Sequence, residues 1–215
     1  MAGCRLLVPD LPGYGRSPWL DRPQGLAGQA DHLAGWLEGR NTGPVVLVGH
    51  SMGGIVGLLL AERHPSLVRA VVDVDGNKSP EDCAYSGQAA RLDSASFAAL
   101  GFDQLRARVH DRGFGDQAHR GYYVSLRLAD PHTFHLNSVE LVRMSGQGDL
   151  ARRLAALPAP HLYMAGSPGG AAAASLGLLE EAGVPVAAIS PAGHWPFIDQ
   201  PAAFLESLAA FLGTL

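Results

Sequence analysis

The stretch that most constrains this chain is Val45-Val46-Leu47-Val48-Gly49-His50-Ser51-Met52-Gly53-Gly54. Four consecutive apolar residues favour a short buried strand, and no proline interrupts the chain from there until Pro65. The stretch Ile55 to His64 then reads as a helix. Between the two lies Gly-x-Ser-x-Gly, a sharp strand-to-helix turn on which a serine hydroxyl is presented while glycines let the backbone pass closely. Ser51 is therefore the candidate nucleophile, against the plainer reading of a glycine-rich loop carrying an ordinary serine.

At 215 residues the chain suits one domain with a sizeable core. A hydrophobic content of 47% with 17% charged residues fits a buried globular protein. The net charge of -4, with no Lys/Arg cluster, argues against a nucleic-acid partner. Ile55 to Ala61, the most apolar stretch, is too short to cross a bilayer, and no signal-peptide pattern opens the chain. Cys4 in a strand-like run and Cys83 in a helix-like one read as reduced small hydrophobes of a cytoplasmic protein, without metal or redox spacing.

Along the chain, Cys4 to Val8 reads as a buried strand and Asp10 to Ser17 as the loop leaving it. Leu26, Ala30, Leu33 and Leu37 fall on one face of an amphipathic helix. A second strand is expected over Ala70 to Val74. This rhythm predicts an α/β fold with a mostly parallel sheet and flanking helices. It breaks after Gly76. Ser79-Pro80-Glu81-Asp82 opens a helix, and helical patches follow over Phe97 to Val109 and Leu136 to Leu157. The expected organisation is a core of residues 1–76 and 160–215 with a helical cap, or lid, over 77–159. Strands resume at His161 to Ala165 and Val186 to Ile189. The last helix is expected from Pro201 to Leu212, burying Phe204, Leu205, Leu208, Phe211 and Leu212.

A serine nucleophile needs a base and a group that orients the base. Of nine histidines, His194 is best placed, since Ala192-Gly193-His194-Trp195-Pro196 follows the last strand on the sheet edge that carries the elbow. His50 reads as a packing residue of the elbow, and His64, His119, His132 and His135 as surface or lid positions. Glycines in the Asp10 loop read as a structural turn rather than a phosphate loop, because no Gly-Lys-Ser/Thr follows. Phe97, Phe102, Phe114, Tyr122, Tyr123 and Phe134 could line an acyl or aromatic pocket, but read more readily as lid packing.

Three segments in the family's chain order, Asp10-Leu11-Pro12-Gly13-Tyr14-Gly15-Arg16-Ser17, the Ser51 elbow and Gly193-His194-Trp195-Pro196-Phe197-Ile198-Asp199-Gln200-Pro201, resemble the α/β-hydrolase superfamily in its capped branch. The resemblance implies a catalytic acid. The usual loop after the next-to-last strand, Gly166-Ser167-Pro168-Gly169-Gly170, holds none, so the acid is assigned to Asp75 after the preceding strand. Asp73 points the same way one pleat deeper, or is a buried structural acid. Asp75 could instead cap a turn with Gly76 and Asn77, and Asp199 reads as the N-cap of the last helix.

The family also implies three strands and a helix ahead of the Asp10 loop, with a His-Gly segment donating half of the oxyanion hole. The chain starts at the strand before that loop, so it reads as an N-terminally shortened copy. Only the Met52 N–H is then a recognisable oxyanion donor, and the sheet should carry an open gap and exposed edges unless Cys4 to Val8 pairs with Val45 to Val48.

The expected activity is hydrolysis of an ester-like bond (carboxylic ester, thioester or lactone) in a small acyl substrate through an acyl-serine, with no metal and no organic cofactor. Two readings stay open beside it. One is a catalytically weak or silent remnant that binds a small ligand or partner; the other is carbon–carbon bond hydrolysis or cofactor-free haloperoxidase chemistry on the same residues.

Overall fold

The valine-rich run that opens the elbow forms strand β1 (Val45–His50), and its register against the next strand, β2 (Val68–Val74), sets the site. In the computed structural model, which describes residues 4–215, β1 and β2 join β3 (His161–Gly169) and β4 (Val186–Gly193) in a parallel sheet of order β1-β2-β3-β4. Val48 pairs with Val72, Val74 with Met164, and Ala165 with Ala188. Sequential parallel pairing puts every strand's carboxyl end on one edge, where Ser51, Asp75 and His194 leave the sheet.

Helix α1 (Leu26–Glu38) buries Leu26, Ala30 and Leu37 of the expected face, with Leu33 only partly buried and Ala34 buried in addition. Its amino end has no side-chain cap of its own; Glu140, far along the chain, accepts the Leu26 N–H at 2.6 Å. Helix α2 (Met52–Arg63) is buried from Gly54 to Ala61, which explains an apolar run without helical periodicity. It packs against α1, β1 and β2.

From β2 to β3 the chain is helical. Ser79 and Asp82 form a reciprocal capping box, but the run opens only the three-residue turn Pro80–Asp82 rather than a longer helix. A wide turn over Phe97–Gly101 leads into α3 (Phe102–Arg112), then come α4 (Gln117–Leu126), α5 (Pro131–Gly146) and α6 (Leu150–Ala155). Helix α5 starts at Pro131, ahead of the expected Leu136, because the Asp130 carboxylate takes the His132 and Thr133 N–H groups. The single expected patch from Leu136 to Leu157 is broken at Gly148, whose φ of 69° a helix cannot hold. Helix α7 (Ala173–Ala182) returns to β4, and α8 (Pro201–Leu212) ends the fold with the predicted bounds.

Three expectations are corrected. Cys4 to Val8 forms no strand: Leu6 is 83% and Val8 78% exposed, Cys4 is exposed, and Leu7 is the residue of this stretch that packs on the core. An apolar run becomes a strand only with a partner, and among the described residues β1 is an unpaired edge with Val48 half exposed. The four described strands thus pair without the expected gap, while the expected exposed edge is present at β1. On α8, Leu205 is 48% exposed while Phe204 and Leu208 are buried, so the helix meets β4 along a narrower stripe. Asp199 does not cap α8. Gln200 holds that position, and Asp199 closes the short helix Pro196–Asp199. His135 lies in the lid segment as expected and is buried there, its Nε2 donating to the Leu92 carbonyl at 2.7 Å.

Candidate active site

Ser51 has φ 54° and ψ -121°, a conformation that L-residues avoid at a cost of about 1–3 kcal/mol. Its surroundings enforce it. The Ser51 N–H donates to the Val74 carbonyl and the Gly54 N–H to the Ser51 carbonyl, each at 2.9 Å. A Cβ on Gly49 would lie 2.2 Å from the Gly53 oxygen, and one on Gly54 2.1 Å from Asp73 Oδ1. Gly53 itself has open space at that position, so the turn needs its carbonyl to approach Gly49. Met52 begins α2 directly after the serine.

His194 follows the last residue of β4. The Gly193 N–H donates to Asp199 Oδ2 at 2.7 Å, and His50 Nε2 donates to the His194 carbonyl at 2.7 Å. A carbonyl only accepts, so the His50 proton is on Nε2. Burial drives the His50 pKa down to about 3, and that ring stays neutral. The His50 and His194 rings lie 4.6 Å apart. Burial also lowers the His194 pKa, with His119 adding to the effect and Asp82 opposing it. Its imidazole is thus held in the form that can accept a proton.

Asp75 is fully buried and also sits at positive φ, 45°. Its Oδ1 accepts the Gly166 N–H at 3.2 Å and the Ala171 N–H at 3.1 Å. Oδ2 lies 3.8 Å from His194 Nδ1, an ion-pair separation and longer than a hydrogen bond. Burial pushes its pKa up to about 7 against the pull of those two N–H groups, and the charges of Asp82 and Asp73 raise it further.

The glycine loop that carries no acid makes room for Asp75 instead. A Cβ at Gly170 would meet Asp75 Oδ2 at 2.4 Å, and one at Gly166 would meet the Gly193 oxygen at 1.9 Å. Gly166→Ala is accordingly expected to force β3 and β4 apart beside His194, costing about 2 kcal/mol or more. Thermal denaturation checks it, and an unchanged Tm would refute this role.

Asp73 faces elsewhere. Its Oδ2 accepts from Lys78 Nζ at 2.7 Å, both side chains are fully buried, and Lys78 also donates to the Gly76 and Asn77 carbonyls. The Asp10 loop is a closed turn: Asp10 Oδ2 accepts the Arg16 N–H at 3.0 Å, and Gly13 and Gly15 have φ 82° and 57°. It also delivers Tyr14, whose hydroxyl accepts from Asn137 Nδ2 at 2.9 Å beside Met52.

Ser51, Met52, Tyr14 and His194 line one cavity of about 590 Å³, with walls from the helical segment. The profile of the alpha/beta hydrolase family matches residues 1–207. The chain belongs to that family. This alpha/beta hydrolase is 44% identical over 70 residues to Lipase LipV of Mycobacterium tuberculosis, covering 33% of this chain and 26% of that protein. It is 42% identical over 62 residues to the pimeloyl-[acyl-carrier protein] methyl ester esterase of Neisseria meningitidis serogroup B, covering 29% and 22%. The match thus spans about a quarter of the length of these curated relatives. Among solved structures, a thermophilic esterase from Thermogutta terrifontis superposes with a TM-score of 0.75 at 21% identity, covering 95% of this chain and 78% of that one. That likeness concerns the fold.

Several residues of the hydrolase's cavity carry no mark in the sequence patterns. Tyr85, Arg112, Asp116 and His119 all line it. His119, expected on the surface or lid, packs its ring 4.9 Å from that of Trp195. Asp82 lines the cavity too, while its oxygens accept the Lys78 N–H, the Ala172 N–H and the Ser175 hydroxyl. Of the six aromatics expected in the lid, Tyr122 and Phe134 reach the cavity. Phe97, Phe102 and Phe134 pack together with centroids 5.5–5.9 Å apart, and Phe114 is 78% exposed. Among the described residues no cluster of three or more His, Cys, Asp or Glu is arranged to hold a metal ion, and no helix is long and apolar enough to cross a membrane.

Proposed function

We propose that this chain is a serine hydrolase that cleaves an ester-like bond, a carboxylic ester, thioester or lactone, through an acyl-serine intermediate. Ser51 attacks the carbonyl carbon while His194 takes its proton. The tetrahedral oxyanion is met by the Met52 N–H. His194 returns the proton to the leaving oxygen or sulfur, and water then repeats the cycle to free the acid. Asp75 orients His194 and balances the imidazolium charge as it forms. The helices between β2 and β3 act as a lid that sets specificity, and the setting is the cytoplasm.

The observation that carries this reading is the meeting of three elements in one place. A serine held in a costly conformation and an imidazole kept neutral line one cavity, and a buried carboxylate lies 3.8 Å from that imidazole. Strain of this kind persists where a site over-determines it. The lipase and ester esterase among the relatives support the same bond class.

A second reading, a binding protein without turnover, draws on the same 3.8 Å separation, which exceeds a hydrogen bond. Catalytic hydrogen bonds are often long before substrate arrives, so the separation fits both. A panel of p-nitrophenyl esters, a thioester and a lactone separates them. Hydrolysis that saturates with substrate supports the enzyme, and saturable binding with no product supports the binder.

A further inference from the structure

The helical wall of the cavity carries a chain of hydrogen bonds that the proposed reaction does not use. Asp116 caps α4, its Oδ1 accepting the Ala118 N–H at 2.8 Å and the His119 N–H at 3.2 Å. Its other oxygen, Oδ2, lies 2.6 Å from His119 Nδ1. His119 Nε2 lies 2.6 Å from the Tyr85 hydroxyl, and Arg112 Nη1, at the end of α3, donates to that hydroxyl at 2.9 Å. All four side chains line the cavity that also holds Ser51 and His194.

The directions of these bonds follow from chemistry. Burial raises the Asp116 pKa, but hydrogen bonds from the His119 ring and from two backbone N–H groups outweigh it, so the carboxyl is ionised and only accepts. His119 therefore carries its proton on Nδ1, and in the neutral ring Nε2 accepts from Tyr85. Arg112 takes one lone pair of the phenolic oxygen. The other lone pair is left for a ligand in the cavity. Arg112 reaches Tyr85 through Nη1 and forms no ion pair among the described residues, so further N–H groups remain for the same ligand.

An acceptor held beside donors matches a group that both gives and takes a hydrogen bond, a hydroxyl or an amide. A carboxylate fits poorly. It cannot donate to Tyr85, and Glu81, Asp82, Asp116 and Asp199 line the same cavity against one arginine. The subsite is also set apart from the reacting groups. The His119 ring packs on Trp195 at 4.9 Å, and Trp195 on His194 at 5.1 Å, so an indole stands between them.

We propose that Tyr85 and Arg112, oriented by His119 and Asp116, form a specificity subsite for a hydroxyl or amide group carried on the substrate several bonds from the scissile carbonyl. The proposal rests on the serine-hydrolase reading, and its test works without turnover. In Ser51→Ala protein, NMR titrations compare methyl 6-hydroxyhexanoate with methyl hexanoate, and 6-hydroxyhexyl acetate with hexyl acetate. The hydroxyl-bearing member of at least one pair is expected to bind about tenfold more tightly. Adding Tyr85→Phe should bring it down to the affinity of its plain partner, and Arg112→Gln, at an exposed position, should reduce the preference without a folding risk. Equal affinities within both pairs, no binding by any of the esters, or a preference that survives both substitutions would overturn the subsite. Fluorophosphonate labelling of the wild type reports on Ser51 separately. A hydroxyl preference without labelling would sink the reaction and spare the subsite, and labelling without a preference would do the reverse.

Discussion

Ser51→Ala is expected to lower ester hydrolysis by at least about 10⁴-fold while leaving the fold intact. No other group can form the acyl intermediate in this scheme, so what remains is catalysis by binding and by the Met52 N–H. The fold should tolerate the change for a specific reason. The Ser51 side chain does not cap α2, and the turn is held by the backbone of Val74, Gly53 and Gly54. Alanine inherits the same strained φ of 54°. Steady-state hydrolysis of p-nitrophenyl butyrate, with thermal denaturation alongside, checks both halves. Residual activity within tenfold of the wild type would remove Ser51 from the mechanism.

Asp75→Asn should be nearly as damaging, about 10⁴-fold, and should stabilise the protein at the same time. The amide oxygen can accept the Gly166 and Ala171 N–H groups as Oδ1 does, and asparagine tolerates the positive φ. Its NH₂ then faces His194 Nδ1 as a donor and favours the wrong tautomer. Stability moves the other way. In the folded protein Asp75 has its pKa pushed up to about 7 from an ordinary 3.8, so the fold binds that proton more tightly than the unfolded chain does. This contribution is complete below the ordinary value and is lost as pH rises through 7. Asparagine never ionises and escapes the loss, a gain of up to about 4 kcal/mol at pH 8 that shrinks toward zero at pH 4. In the wild type the same ionisation should make kcat/KM rise with pH to a plateau as the Asp75 carboxyl, its pKa pushed up to about 7, loses its proton. Denaturant melts of both proteins at pH 4 and pH 8, with a pH–rate profile, check these signs together. A variant less stable than wild type at pH 8 would contradict the role given to Asp75.

What can be read along the chain is whatever local chemistry dictates. The strand and turn around Ser51, the Ser79–Asp82 box and the Pro201 start of α8 are short-range patterns, and each appears where such patterns place it. Local reading fails where a distant partner decides. Leu6 and Val8 look like strand residues, but β-structure requires a neighbour, and none of the described strands pairs with them. Asp199 looks like a cap because helix starts favour aspartate, yet the nearer demand is the Gly193 N–H. The Glu140 cap on α1, the Lys78–Asp73 pair under Tyr163, and the approach of Tyr85 to His119 and Arg112 are tertiary contacts that no spacing announces. In the sequence, Gly166 and Gly170 show only as an absence of acid. Their reason lies in the Asp75 side chain that arrives from the neighbouring strand.

Activation of Ser51 by His194 stands at the centre of this mechanism, and labelling with a fluorophosphonate followed by mass spectrometry tests it most directly. One adduct per chain is expected, located on Ser51, with the labelling rate reduced at least about 10³-fold in His194→Ala. A folded wild-type protein that takes no label, or one that His194→Ala labels at the same rate, would contradict it.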